Sequence, residues 1–332
     1  MGSWIGIRDT LVDSLYVVMP QNSNALGILH GGVIMSWLVS TATMAAARLS
    51  RSAVTLGALD NISFTSPVRI GDVVYLRAWV EYVGRSSMEV GLDAYAENTV
   101  KGERRLTTTS HMVFIAVDER GEPKDVQTKV KPVGINEEKI YRAAESRREA
   151  RKEELEERRK EKPVEFGGEF KWRLNTSRIV LEDDALYGRY MFGGKLLILM
   201  DELAGTLASK YCRDNVVTAA VDRLFLVNPI LVGDILHLDC VVAYVGRTSI
   251  DIGVKAIAEN PYSGRKRYVT TAFFTMVRVN KEGKPVNVPP YNPTNEAERR
   301  LWALREERRR KIRELSSEMQ EHVERHSKLA EV

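Results

Sequence analysis

Asp201 stands in Leu197-Ile198-Leu199-Met200-Asp201-Glu202-Leu203-Ala204, an otherwise apolar stretch save for the adjacent Glu202. A carboxylate on a buried helical surface is costly unless it is partnered or put to use. Two glycine pairs, Gly31-Gly32 and Gly193-Gly194, open the proline-free apolar runs Val33–Leu49 and Lys195–Tyr211. Glycine lets another group approach the backbone closely. The first N–H groups of a helix lack intrahelical partners and carry the positive end of its dipole. Aimed at a carbonyl under attack, such a donor stabilises the developing oxyanion by about 2.7–4 kcal/mol. Tight packing alone is the alternative use of the glycines. His30 immediately precedes the first pair, and Asn24 lies six residues upstream. Asn also favours turns on its own account. His30 has a packing or hydrogen-bonding alternative, and Asp201 that of a cap or an ion-pair partner.

These residues belong to a repeat. Asp60, Pro67, Gly71-Asp72 and Gly84-Arg85-Ser86-Ser87 recur as Asp222, Pro229, Gly233-Asp234 and Gly246-Arg247-Thr248-Ser249, always 162 positions later. The glycine pairs, Ala96-Glu97-Asn98 with Ala258-Glu259-Asn260, and Gly121 with Gly283 keep the same offset. One domain is duplicated in tandem. The reactive residues are not duplicated. Asp201 corresponds to Val39 and His30 to Phe192. Asn24 corresponds to Leu186 by strict offset, or to Ala185 if the loop glycines Gly27 and Gly188 are matched. Each repeat lacks what the other keeps, so one composite site is expected from Asn24, His30 and Gly31 with Asp201.

The elements that must hold them are legible from pattern. Each repeat reads as a strand (Leu15–Met19; Arg178–Leu181), a polar loop, a long buried helix and three alternating strands. Those strands are Val73–Tyr82, Ser87–Ala96 and Leu106–Val117, matched by Ile235–Tyr244, Ser249–Ala258 and Tyr268–Val279. A sheet of consecutive antiparallel strands buries one face against its helix. Between the repeats, Asn136–Lys162 is nearly all Glu, Arg, Lys and Ala and has no apolar stripe, which reads as a solvated connector helix. In Asn295–Leu329, Leu301, Leu304, Ile312, Leu315, Met319 and Val323 recur at helical spacing, which predicts a helix packed on the body or on another subunit.

Composition excludes several classes. The 332 residues carry 44% hydrophobic and 28% charged residues with a net charge of +4. That is a folded chain with no strong case for nucleic acid. No uninterrupted apolar run approaches the ~20 residues of a membrane span, and no secretory signal is visible, so a cytoplasmic location is expected. Cys212 and Cys240 read as buried thiols, and His111, His237, His322 and His326 lack metal-ligand spacing. Arg85, Ser86, Ser87 and Arg247, Thr248, Ser249 pair an arginine with hydroxyls in a turn, a combination that suits phosphate.

The segments around Asn24–Gly32, Ala185–Gly194 and Met200–Gly205, with Thr218–Asp222, Pro229, Gly233-Asp234 and Gly246–Ser249, resemble the acyl-CoA thioesterases of the hotdog fold, in particular their two-hotdog chains. The resemblance covers roughly residues 10–130 and 170–290. It implies an α+β tandem double hotdog, each repeat a curved antiparallel sheet wrapped around a central helix, with the two sheets joined into one. The expected organisation is a first hotdog (1–135), a charged helical connector (136–163), a second hotdog (164–292) and an amphipathic C-terminal helix (293–332). It implies hydrolysis of fatty acyl-CoA to fatty acid and coenzyme A, with Asp201 as general base or nucleophile, Asn24 positioning water or thioester, and Gly31 with His30 polarising the carbonyl. Coenzyme A enters as part of substrate and product, touching the two Arg-hydroxyl turns, and no metal or other cofactor is expected. Homo-oligomers, commonly trimers of such chains, are implied too. A non-catalytic acyl-CoA sensor and a hotdog hydratase are the rival readings.

Overall fold

The computed structural model describes residues 3–160, 166 and 170–310. The first repeat runs β1 (Val12–Val17), α1 (Gly31–Ser50), β2 (Ala53–Leu59), the two-residue β3 (Ile62–Ser63), β4 (Val73–Val83), β5 (Ser87–Asn98) and β6 (Glu103–Val117). Helix α2 (Gly134–Lys160) follows. The second repeat runs β7 (Arg173–Ile179), α3 (Gly193–Cys212), β8 (Val216–Val221), the two-residue β9 (Leu224–Phe225), β10 (Ile235–Val245), β11 (Ser249–Glu259) and β12 (Lys266–Arg278). Residues 296–310 form a last helix, α4. Both core helices begin at the glycine pair itself. Each ends on an arginine in the left-handed region, Arg51 (φ 52°) and Arg213 (φ 51°), 162 residues apart.

The sheets do not merge into one continuous sheet, as the sequence led us to expect. They form two six-stranded sheets of identical design, β9-β2-β6-β5-β4-β1 and β3-β8-β12-β11-β10-β7. Each takes a two-residue edge strand from the other repeat: Leu224 and Phe225 face Leu59 and Ala58, while Ile62 and Ser63 face Val221 and Ala220. Register shifts recur at matching places, Val80/Tyr82 with Val242/Tyr244 and Leu56/Ala58 with Thr218/Ala220. Such bulges add the local bend that curls a sheet around a helix.

Inside the curl, α1 buries Met35, Leu38 and Ala42, and α3 buries Met200, Ala204 and Leu207, all fully. The 20-residue α1 is apolar and long enough on composition to cross a bilayer, but most of it is enclosed by protein. The helices also pack on each other, and the glycine pair makes that approach possible. A Cβ on Gly32 would lie 2.8 Å from the Ile198 Cα, and one on Gly31 2.5 Å from the Thr218 Cβ.

The connector departs from expectation. Helix α2 is helical, but it is not simply solvated. Arg151 is buried and makes a forked contact with Asp60, with bonds of 2.8 and 2.9 Å, and a further bond of 2.5 Å to Glu89. Arg147 reaches Glu89 at 2.7 Å. Helix α4 repeats the device: Arg305, buried, joins Asp222 and Asp251, the offset counterparts of Asp60 and Glu89. In α4, Leu301 is buried while Leu304 is 44% exposed, so arginine rather than an apolar stripe docks much of this helix. Ile312, Leu315, Met319 and Val323 lie outside the described residues. Burial alone would raise the Asp60 and Asp251 carboxyls, but the guanidiniums outweigh it and hold both below the usual carboxylate range. Removing one partner of such a cluster strands buried charge, at a cost of about 3–5 kcal/mol. Arg305→Ala is therefore expected to lose stability on that scale in urea denaturation, whereas Arg299→Ala on the exposed side of α4 should change it by less than about 0.5 kcal/mol.

Candidate active site

Asp201 lies at the middle of α3, fully buried, where α3 meets the start of α1. Its Oδ2 accepts the Gly32 N–H at 2.7 Å and lies 2.9 Å from the His30 Nδ1. Its Oδ1 accepts the Thr218 hydroxyl at 2.8 Å. A carboxylate from the second repeat thus caps the dipole of a helix from the first, the favourable sign for an anion at a helix N-terminus. The cap and ion-pair alternative raised for Asp201 describes part of what it does.

The helix start is otherwise accounted for. Val33 and Ile34 donate to the His30 carbonyl and Gly32 donates to Asp201, which leaves the Gly31 N–H as the donor available to a ligand. His30 precedes α1 in extended conformation, and its own N–H donates to the Asn22 carbonyl. Its imidazole pKa is raised above 6.5 by the contact with Asp201, against the opposing effect of burial.

Asn24 holds the loop together. Its Oδ1 accepts the N–H groups of Leu26 (2.9 Å) and Ile28 (3.1 Å). With the carbonyl committed to this turn, the group Asn24 can offer a ligand is the Nδ2 amide, a donor. The loop also resolves the register left open by its glycines. Ser23 bridges Leu29, and Ala185 bridges Met191, each pair 162 residues apart, so Leu186 is the counterpart of Asn24. The loops have equal length; only the left-handed residues differ, Gly27 in one and Tyr187-Gly188 in the other.

The second repeat shows why these residues form one set. Val39, Leu56, Leu186 and Phe192 line a single small apolar pocket. Their offset counterparts are Asp201, Thr218, Asn24 and His30. Thr218 is the residue that sequence reasoning passed over as part of a motif without a role. The signal was present as a polar residue standing where the other repeat has Leu56. The bulge between Thr218 and Ala220 sets the strand's facing at that point.

The two Arg-hydroxyl turns are the β4–β5 and β10–β11 hairpins. Ser249 lies opposite Val277 on β12, which lies opposite Val217 on β8, so this turn is two strands from Thr218. The Ser249 hydroxyl accepts Arg309 of α4 at 3.1 Å. Arg85 is exposed, with its Nε 3.6 Å from the Asp125 carboxylate. Burial pushes the Cys212 thiol up to about 11 and Cys240 to about 12, so neither is a ready nucleophile.

Residues 26–103 and 188–264 match the Thioesterase superfamily domain. The chain is 35% identical over 130 residues to Protein VdlD of Helicobacter pylori, covering 39% of this chain and 74% of that protein. It is 27% identical over 336 residues to the cytosolic acyl coenzyme A thioester hydrolase of Rattus norvegicus, covering 93% of this chain and 84% of that one. Among solved structures, an acyl-ACP thioesterase from Bacteroides thetaiotaomicron covers 82% of this chain and 100% of its own, with TM-score 0.51 and 12% identity, a likeness of fold. The chain belongs to the thioesterase superfamily, as a tandem pair of hotdog domains. It is an acyl-CoA thioester hydrolase.

The His30 contact has a pH signature. A group whose folded pKa lies above its unfolded value contributes stability that is present in full below pH 6.5 and is lost as pH rises through the folded pKa. The unfolding midpoint should therefore decline through this window, and His30→Gln should flatten the decline. An equal slope in the variant would show that the pair carries no such linkage.

Proposed function

We propose that the chain hydrolyses fatty acyl-CoA at one composite site, built by Asn24, His30 and Gly31 of the first repeat with Asp201 and Thr218 of the second. The observation that carries this reading is the buried Asp201 carboxylate at the N-terminus of α1, beside His30 and one residue from the free Gly31 N–H. Asp201 acts as general base. Its Oδ2 accepts the Gly32 N–H and its Oδ1 the Thr218 hydroxyl, which fix the carboxylate where it can receive a proton. The base takes a proton from water, whose oxygen bonds to the thioester carbon. The Gly31 N–H and the Asn24 Nδ2 amide stabilise the oxyanion. The carbon–sulfur bond then breaks, and the proton passes to the leaving coenzyme A sulfur. Thr218 and His30 hold the carboxylate in place. The steps use side chains, the Gly31 backbone N–H and water, with coenzyme A present as part of substrate and product.

Asp201→Asn removes the proton acceptor while keeping a similar shape. It should lower kcat at least 100-fold on palmitoyl-CoA, read by thiol release, with the chain still folded. A loss below tenfold would take Asp201 out of the chemistry.

The rat relative's name, cytosolic, supports a cytoplasmic location, and a fatty acyl-CoA substrate would place the chain in lipid metabolism. We propose trimers of this chain; exposed apolar residues at matching edges support contact between copies. Val17 and Met19 beside β1 are 55% and 47% exposed, and their counterparts Ile179 and Leu181 are 57% and 54% exposed. Paired apolar patches of this kind mark contact surfaces. Val17→Asp with Ile179→Asp should lower the mass measured by light scattering; an unchanged mass would move the contact elsewhere.

A further inference from the structure

The two ends of the double hotdog share a backbone but differ in charge. After β6 and after β12 the chain makes the same turn, over residues 118–125 and 280–287. In the first, Asp118 Oδ1 accepts the N–H groups of Arg120 and Glu122; in the second, Asn280 Oδ1 accepts those of Glu282 and Lys284. Gly121 and Gly283 take the same left-handed conformation, with φ of 83° and 79°. The fold therefore does not dictate the charge of these turns, since Asn does the work of Asp. Yet residues 118–125 carry four acids against Arg120 and Lys124, while residues 280–287 carry Lys281 and Lys284 against Glu282 alone.

The neighbours add cations at the basic end, while at the acidic end the cations Arg85 and Arg189 sit among the acids. Arg69 bridges Ile28 in the catalytic loop, and its guanidinium and the Ile28 side chain are what a Cβ on Gly283 would meet, at 3.7 and 3.9 Å. The counterpart of Arg69 is Leu231. Beside Arg247, Asn287 replaces the Asp125 that faces Arg85. At the opposite end, Tyr190 closes on the acidic turn: its hydroxyl donates to the Arg120 carbonyl, and no Cβ would fit on Gly121 against it. Arg189 stacks there on Tyr190 and reaches the Glu119 carbonyl.

We propose that Lys281 and Lys284, with Arg69 and Arg247, form the rim that receives the phosphates of coenzyme A, a concentration of cations that the other end, where four acids offset its cations, does not offer. Charge thus selects the end of the molecule that holds Asp201. This rests on the composite site proposed above. Rim charges act on encounter and binding, more weakly as salt rises.

The test pairs two thioesters of the same acyl group, one on coenzyme A and one on N-acetylcysteamine, which has no phosphate. Lys281→Glu with Lys284→Glu should raise KM for the acyl-CoA at least tenfold with kcat within twofold, and should leave kcat/KM for the N-acetylcysteamine ester unchanged. The rise of KM with salt seen in the parent should be smaller in the variant. Glu119→Lys with Glu122→Lys at the opposite end should leave turnover of both unchanged. An unchanged KM for acyl-CoA, or equal losses on both esters, would overturn the proposal. Asp201→Asn keeps the two readings separable: if it is inactive while the lysine variant behaves as the parent, the rim fails and the composite site stands. If it is active, the site reading fails.

Discussion

The hydrogen bond from the Gly32 N–H to Asp201 fixes how the two halves of the molecule can differ. It joins the start of one core helix to a buried side chain of the other across the helix–helix contact. That contact is possible only at backbone range, because Ile198 leaves no room for a Cβ at position 32. A carboxylate taken out of water needs several donors to remain charged. Gly32 and Thr218 supply two, from a helix start and a bulged strand, and the His30 ring lies against the same carboxylate from its loop. At the pseudosymmetric position Val39 makes no such demand, and the surrounding set has become apolar with it. Loss of one acid removes the reason to keep its three polar neighbours.

Much of this was legible in the sequence because duplication gave every residue an internal control. The offset of 162 exposed Asp201 against Val39 and His30 against Phe192 without any other sequence. Helices and long strands were readable because their patterns extend over ten or more residues. What escaped was short or depended on contact. The strands at Ile62–Ser63 and Leu224–Phe225 are two residues long and exist only because the other repeat offers an edge. Thr218 was hidden by being ordinary in a strand. The Asn24 carbonyl is consumed by its own turn, which composition cannot show.

The charged connector was the least readable element. A run of Glu, Arg and Lys has no apolar face, so its docking cannot appear in a hydrophobic pattern. The attachment rests in large part on Arg151 meeting Asp60 and Glu89, carboxylates 91 and 62 residues earlier that look like surface residues. Helix α4 uses Arg305 on Asp222 and Asp251 in the same way. The outer helices thus add matched charge, which is directional, to a few apolar contacts such as Ala144 and Leu301, whereas the inner helices are held mainly by apolar volume.

The exchanged edge strands set an order on synthesis. The outer edge of β2 is completed by Leu224 and Phe225. Until those residues leave the ribosome, the Ala58–Leu59 end of that edge has no strand beside it. An open strand edge of that kind pairs with whatever strand it meets. A nascent chain ending between the repeats therefore leaves one corner of its sheet open, and each repeat's sheet is completed by the other.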